Sequence, residues 1–175
     1  YIPGDDSHLF DAVVYADKNK KVKMVSFAQI GLQEHAPRMI GNAAVIINGY
    51  SQYPGVEEQI EKIRKFTEKI GYQGFAEFDM KYDARDGKYK VMEINARQGR
   101  CSYYITPAGF NLIELLYKDL IEGKELKYKV CDKEVLETFV PKCVVKKYIT
   151  NEEFKKKVLS MWKDRTEALN YKKDN

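Results

Sequence analysis

The segment that most clearly indicates the fold is Glu77-Phe-Asp-Met-Lys-Tyr-Asp-Ala-Arg-Asp-Gly-Lys-Tyr-Lys-Val-Met-Glu-Ile-Asn-Ala-Arg97. From Phe75 to Asp83 apolar and charged residues alternate, which is the period-2 pattern of a strand with one buried face. A second segment, Tyr89 to Arg97, can pair with the first across a short polar connection. The sequence therefore predicts a β-hairpin with one face in the core and one charged face.

The connection between the two strands determines which residues oppose each other. Arg85-Asp86-Gly87 suits a three-residue loop, a type I turn whose glycine takes the left-handed conformation. Pairing then begins at Ala84 with Lys88, and Asp79 lies directly opposite Glu93. Opposed side chains in an antiparallel pair have Cβ atoms roughly 4.5 to 5.5 Å apart, so two carboxylates there are destabilising unless a cation compensates.

The same register places Met80 opposite Met92, so that one core residue meets another. Two alternatives remain open at this point. A four-residue loop would shift the register by one residue and place Asp79 opposite Met92. Acidic residues that alternate with apolar ones can also be only the hydrated side of a sheet.

The charged face of the hairpin offers a set of hard oxygen ligands. Asn95 lies two residues beyond Glu93 and therefore on the same face. Asp79, Glu93 and Asn95 together suit Mg²⁺ or Mn²⁺, and Mg²⁺ commonly shares its coordination shell with substrate phosphates. Arg97, again on that face, is able to hold a phosphate bidentately. The pattern predicts a divalent-cation and phosphate site.

The order of these residues, an acid, a hairpin and then Glu-x-Asn-x-Arg, resembles the metal signature of the ATP-grasp superfamily. The continuation from Gln98 to Gly109 and the opening Tyr1-Ile-Pro-Gly-Asp-Asp are similar to a narrower branch, the D-aspartate ligases and related carboxylate-amine ligases. The similarity extends from Tyr1 to about Asp119. It implies an α+β fold, the C-terminal lobe of an ATP-grasp domain, with an antiparallel sheet backed by helices.

The resemblance also implies roles for individual residues. Asp79 and Glu93 correspond to the two acids that bridge the metal ions, and Asn95 corresponds to the third ligand. Arg97 corresponds to the catalytic residue that contacts the transferred phosphate. Ala96 stands before it where proline is common in the family, a departure that affects backbone stiffness more than chemistry.

Candidate nucleotide and substrate residues flank the hairpin. Asp6 and His8 fall where family members place a ribose-hydroxyl contact, with a solvated turn and a structural histidine as the alternatives. Arg100, Ser102 and Tyr103 lie in a loop that leads away from the metal site, and they are candidates for binding an amino-acid or carboxylate substrate. Plugging of this loop against the core is the alternative. Arg100 is the best candidate of the three because a guanidinium fits a carboxylate fork.

The implied reaction is ATP-dependent ligation of a carboxylate to an amine through an acyl phosphate, with ATP and Mg²⁺ or Mn²⁺ required. The partners would be a small-molecule carboxylate and an amine, such as an amino acid and a peptidoglycan precursor. By this comparison the chain begins inside the nucleotide site, so we expect an N-terminal part of the same chain, with the adenine-contacting residues, upstream of Tyr1. The alternative is a non-catalytic nucleotide-binding or interaction module.

Composition disfavours several other classes. The 175 residues are 44% hydrophobic and 32% charged, which is typical of a globular chain. The net charge of +4 comes from lysines spread along the chain, without the clustered footprint of a nucleic-acid binder. Cys101, Cys131 and Cys143 lack disulfide or zinc-site spacing, which favours a reducing cytoplasm. No apolar run approaches the roughly 20 residues needed to span a bilayer, so we expect no membrane partner.

The spacing of apolar residues and the positions of turn-forming residues predict the remaining elements. We expect residues 1–122 to form the ATP-grasp lobe and residues 123–175 to form a C-terminal extension, a strand plus a basic helix, packed on it. The second predicted helix carries Leu112, Leu115, Leu116 and Leu120 on one face. The predicted strands are Asp11–Ala16, Val22–Ile30, Ala43–Ile47 and Phe139–Tyr148. The predicted helices are Val56–Ile70, Asn111–Glu122 and a third from Asn151 onward. This third helix is expected to be basic and solvated, to contain Trp162 and to end in a frayed, lysine-rich segment.

Overall fold

Eight strands form one sheet that carries the hairpin at one edge. The computed structural model describes residues 1–167. The strands are β1 (Leu9–Ala16), β2 (Val22–Ser26), β3 (Ala28–Gln33), β4 (Ala43–Asn48), β5 (Gly74–Asp83), β6 (Lys88–Asn95), β7 (Lys129–Cys131) and β8 (Val135–Thr138). The helices are α1 (Val56–Lys69), α2 (Leu112–Leu116), α3 (Lys142–Tyr148) and α4 (Glu152–Ser160).

The strand order along the sheet is β6-β5-β1-β3-β4-β8, and β2 pairs with β1 while β7 pairs with β2. The β2–β7 pair is parallel and the other pairs are antiparallel. Strands β7 and β8, from the C-terminal part of the chain, thus belong to the same sheet as the hairpin. This mixture of helices and an antiparallel sheet confirms the predicted α+β class.

Helix α1 covers one face of the sheet, as its pattern predicts. It begins after Gly55, which has a φ of +90°, and Gly71, with a φ of +68°, stands just beyond its end. Its residues Ile60 and Ile63 are buried in one cluster with Phe78 of β5. The prediction that this helix packs against the apolar face of the hairpin is confirmed.

The strand predicted from Val22 to Ile30 is interrupted at Phe27 and forms two strands, β2 and β3. Both strands pair with β1, and Val14 of β1 lies opposite Val25 of β2. The ring of Phe27 is buried and packs edge-on to the ring of Tyr89 at 5.3 Å. At the break, Val13 N of β1 donates its hydrogen bond to the side-chain Oγ of Ser26 at 3.0 Å, in place of a backbone carbonyl.

The second predicted helix begins after Asn111 as expected, but its last turn differs. Residues Tyr117–Ile121 form a wider π turn instead of continuing α2. The turn buries Asp119, whose Oδ2 accepts hydrogen bonds from Tyr15 Oη at 2.7 Å and from Lys18 N at 2.9 Å. Leu120 is 51% exposed whereas Leu112 is buried, so the predicted leucine face does not continue through this turn.

The strand predicted from Phe139 to Tyr148 is wrong, because most of this segment is helix α3. Pro141 directly precedes the helix, and its fixed φ and missing N–H favour a helix start. Val145 and Ile149 are both buried, and their spacing of four is helical. The adjacent β-branched pair Val144-Val145 obscured this signal, because such residues also favour strands.

The predicted helix after Asn151 is confirmed as α4, and Asn151 caps it by accepting a hydrogen bond from Phe154 N at 2.9 Å. The helix is not a purely solvated one, because Phe154 and Val158 are fully buried. The predicted place of Trp162 within this helix is wrong, because it lies in a short turn after the helix ends at Ser160. The predicted lysine-rich end lies outside the described residues. Within residues 1–167 no helix is long and apolar enough to cross a membrane.

Candidate functional site

The hairpin of β5 and β6 brings Asp79 opposite Glu93, as the sequence predicts. The connection is longer than predicted, because Asp83 pairs with Lys88 and four residues form the loop. The predicted three-residue loop is therefore wrong. The left-handed conformation of its glycine is confirmed, since Gly87 has a φ of +68°.

A β-bulge at Met92 restores the register beyond the loop. Met80 lies opposite Val91, so its predicted pairing with Met92 is wrong. Met92 is the extra residue of the bulge and is 51% exposed. One additional residue in the loop and one in the bulge offset each other. The pairing of Asp79 with Glu93 is confirmed for this reason.

Asp11, on β1, is a residue of this site that the sequence prediction missed. It pairs in register with Asp79 and is 3% exposed. Glu77 lies on the same face of β5, two residues before Asp79, and is also buried. The available signal was that Asp11 is the sole charged residue of the otherwise apolar strand Leu9-Phe-Asp-Ala-Val-Val-Tyr-Ala16.

The carboxylates on this face are held in an unfavourable environment. Burial raises the pKa of Asp11 well above its usual range, and the charges of Glu77 and Asp79 add to the effect. Burial followed by the charge of Glu93 raises the pKa of Asp79. Burial and the charge of Asp79 do the same for the pKa of Glu77. A cation at this face would relieve the repulsion.

A cavity of about 190 Å³ opens onto these carboxylates. It combines acidic side chains with two guanidinium groups, so a cation and an anion can lie side by side in it. Its charged and amide-bearing lining residues are Asp11, Asn42, Glu77, Asp79, Glu93, Asn95, Arg97 and Arg100, and the others are Ile30, Ile40, Gly41, Ala43 and Cys101.

Arg97, Asn95 and Asp79 form a hydrogen-bonded chain along the polar face. Arg97 Nη2 donates to Asn95 Oδ1 at 3.3 Å, and Asn95 Nδ2 donates to Asp79 Oδ2 at 3.1 Å. Arg97 Nη1 also lies 3.7 Å from Glu77 Oε2. Arg97 is therefore oriented toward the predicted cation ligands while about half of its side chain is exposed.

The residues at this face suit a divalent cation that shares its shell with a ligand. Asp79 and Glu93 are directly opposed carboxylates, and Asn95 adds an amide oxygen, so the donors are all hard oxygen. Within residues 1–167, no three His, Cys, Asp or Glu side chains form a complete metal cage. Mg²⁺ fits such a site, because it keeps water or phosphate oxygens in part of its shell.

The three candidate substrate residues have different surroundings. Arg100 lines the cavity together with the carboxylates. Ser102 is buried, and its Oγ donates to Gly99 O at 2.9 Å, which braces the loop. Gly99 lies so close to Glu77 that a Cβ atom there would meet Glu77 Oε1 at 1.7 Å. Tyr103 is 42% exposed and lies outside the cavity lining. A substrate role for these three residues stays a prediction.

The two candidate ribose residues lie near the start of the chain, outside this cavity. Asp6 Oδ2 accepts a hydrogen bond from Gln33 N at 2.8 Å. His8 Nδ1 lies 3.0 Å from Asp5 Oδ1, and its ring packs 5.2 Å from that of Tyr53. Asp6 borders a separate groove along β3. The ribose contact stays a prediction.

Solved structures share this arrangement of strands and helices. One is N5-carboxyaminoimidazole synthetase from Staphylococcus aureus complexed with ADP, with a TM-score of 0.55 and 15% identity over 73% of this chain and 33% of that chain. Another is the biotin carboxylase domain of Hydrogenobacter thermophilus 2-oxoglutarate carboxylase, in complex with MgADP, ADP and bicarbonate, with a TM-score of 0.53 and 18% identity over 75% of this chain and 28% of that chain. The fold is that of the C-terminal lobe of ATP-grasp enzymes.

The sequence adds a more specific similarity within this class. The chain is 40% identical over 169 residues to a D-aspartate ligase of Enterococcus faecium strain Aus0004, an alignment that covers 94% of this chain. The chain spans 39% of the length of that relative. No protein-family profile matches the chain. The predicted resemblance to ATP-grasp carboxylate-amine ligases of the D-aspartate ligase branch is confirmed.

Proposed function

We propose that this chain forms part of an ATP-dependent carboxylate-amine ligase that makes an amide through an acyl phosphate. The observation that carries the proposal is the opposed pair Asp79 and Glu93, with Arg97 beside it in one cavity. The 40% identity to a D-aspartate ligase supports the reaction class. D-aspartate or a similar amino acid is the proposed carboxylate substrate.

Asp79, Glu93 and Asn95 would hold Mg²⁺ or Mn²⁺, which when bound would neutralise the charge of the nucleotide phosphates. Arg97 donates hydrogen bonds to oxygens of the phosphoryl group during its transfer, because its planar guanidinium matches them bidentately. Glu77 lies 3.7 Å from Arg97 and, with the amide oxygen of Asn95, fixes the direction of that guanidinium. The protein thus supplies position and charge stabilisation.

The reaction proceeds in two steps that balance without a covalent bond to the protein. A substrate carboxylate oxygen attacks the γ-phosphorus of ATP, and ADP leaves with the electron pair of the broken P–O bond. The nitrogen of an amine then attacks the acyl carbon, inorganic phosphate leaves, and the nitrogen loses a proton to solvent. Burial raises the pKa of Cys101 to about 11, which suits a thiol that takes no part as a nucleophile.

The proposed amine partner is a small molecule or the peptide portion of a peptidoglycan precursor, and the proposed compartment is the cytoplasm. Free thiols at Cys101, Cys131 and Cys143 support a reducing compartment.

The test is release of ADP by the full-length protein with Mg²⁺, a panel of amino acids that includes D-aspartate as the carboxylate, and a small-molecule or peptide amine that is added or left out. We expect Glu93→Gln to lower the turnover by about 100-fold or more, because it removes a charge that acts on the phosphates. Asp86→Asn, at the loop end of the same hairpin, is the matched control and should keep its turnover. Release of ADP that is independent of every amine, or indifferent to Glu93, would favour a nucleotide-binding module instead.

A further inference from the structure

Asp11 is the carboxylate of the cavity whose charge its neighbours do not satisfy. Its side chain is 3% exposed, yet it forms part of the cavity wall. Its Oδ2 receives a long hydrogen bond from Tyr104 Oη at 3.4 Å. Among residues 1–167, no donor lies within hydrogen-bonding distance of its Oδ1. A buried carboxylate oxygen without a hydrogen-bond donor is unfavourable, so a ligand that donates a hydrogen bond to Oδ1 would stabilise it.

Two other carboxylates of the cavity have partners, and the remaining one faces the proposed cation site. Glu77 lies 3.7 Å from Arg97, and Asp79 accepts a hydrogen bond from Asn95 at 3.1 Å. Glu93 faces Asp79 across the proposed cation site. A partner for Asp11 therefore has to arrive through the cavity.

The surroundings of Asp11 favour an organic cation over a metal ion. The cavity wall next to it includes Ile30 and Ala43, which suit a hydrocarbon stem better than a hydrated ion. A primary ammonium group carries three N–H donors and a positive charge, and it supplies both things that Oδ1 lacks.

We propose that Asp11 binds the primary ammonium group of the amine substrate and holds it beside the phosphoryl-transfer site. The inference rests on the proposed function and names the residue that recognises the second substrate. Asp11 is in register with Asp79 on the neighbouring strand, and neighbouring strands lie about 4.7 to 4.9 Å apart. An amine on Asp11 is thus one strand away from the position where the acyl phosphate forms.

The arrangement of charge in the cavity agrees with this role. Arg97 and Arg100 carry the positive charge, which suits the phosphate and the carboxylate substrate. Asp11 lies on the strand next to the hairpin, so the ammonium of one substrate and the anionic groups of the other meet different side chains. Such separation orients the nitrogen toward the acyl carbon.

The experiment measures binding of butylammonium to the full-length protein by calorimetry, without ATP, in the wild type, Asp11→Asn and Glu137→Gln. Butyltrimethylammonium, which has the same charge and no N–H donor, is the control ligand. We expect Asp11→Asn to weaken butylammonium binding at least about tenfold, as the loss of a buried charge partner does. Glu137→Gln removes a nearby carboxyl group that does not line the cavity, and binding should stay within about twofold.

Three binding results would overturn the inference: equal binding of butylammonium to wild type and Asp11→Asn, equal binding of the two ligands, or a second Mn²⁺ ion that is lost in Asp11→Asn. The carboxyl carbon resonance of Asp11 in the wild type should shift with butylammonium, a readout that needs no variant. If butylammonium binds but ADP release does not depend on an amine, the proposed ligase function is wrong and the amine site remains. If ADP release depends on an amine but Asp11→Asn leaves the KM for the amine unchanged, the role of Asp11 is wrong and the ligase function remains.

Discussion

Glu137, on β8, is a partly buried acid that borders the site without lining its cavity. Its Oε2 accepts a hydrogen bond from Tyr104 N at 2.7 Å. This bond connects the loop after the hairpin to β8, at the opposite edge of the sheet. Burial nevertheless raises its pKa to about 7, despite the lowering effect of that hydrogen bond. The carboxyl group therefore titrates near neutral pH in the folded protein.

This shift predicts a pH dependence of stability. Between the ordinary pKa of 4.5 and the folded value of about 7, the folded chain binds more protons at Glu137 than the unfolded chain does. Its contribution to the free energy of unfolding is fully present below pH 4.5 and is lost as the pH rises to about 7. We expect Glu137→Gln to gain about 2 to 3 kcal/mol relative to wild type between pH 4.5 and pH 8. Urea unfolding at both pH values measures this, and parallel profiles for the two proteins would contradict it.

Helix α4 illustrates how a whole element attaches to the sheet. The ring of Phe154 fits over Gly31 of β3, where an added Cβ atom would lie 2.0 Å from Phe154 Cε1. A glycine on the strand thus makes room for an aromatic ring on the helix. Val158, one turn later, is buried in the same cluster.

Truncation of this ring should be costly. We expect Phe154→Ala to lower the free energy of unfolding by about 3 to 5 kcal/mol, because it leaves a cavity against the backbone of Gly31. Lys156→Ala, on the exposed side of the same helix, should change it by no more than about 0.5 kcal/mol. Urea denaturation of both variants provides the comparison. A loss below about 1 kcal/mol for Phe154→Ala would mean that α4 contributes little to the core.

Local patterns predicted the elements that depend on local interactions. Helix α1 has apolar residues at helical spacing and glycines at both ends, and alternation identified the strands of the hairpin. The π turn before Gly123 depends on Asp119, which bonds to Tyr15 more than a hundred residues away in sequence. The extra loop residue and the bulge at Met92 offset each other, which left the Asp79–Glu93 pair as predicted. Helix α3 was missed because a Val-Val pair resembles a strand.

The order of the strands in the sheet brings the residues of the site together. Pairing of β1 with β5 places Asp11 beside Asp79, and β8 contributes Glu137 from the other side of the sheet. These contacts join residues far apart in sequence, so spacing could predict the ligands within the hairpin but not Asp11. The polar face of the sheet therefore combines acids of the hairpin with Asp11, a buried acid on the next strand.

We propose that Asp79 and Glu93 bind the divalent cation that accompanies the nucleotide. The most direct test is electron paramagnetic resonance of Mn²⁺ bound to the full-length protein with a non-hydrolysable ATP analogue. We expect Glu93→Gln to weaken Mn²⁺ binding by at least about tenfold, because the charge of the ligands sets the affinity of such sites, and Asp86→Asn to bind as the wild type does. Equal Mn²⁺ affinity in wild type and Glu93→Gln would contradict the claim.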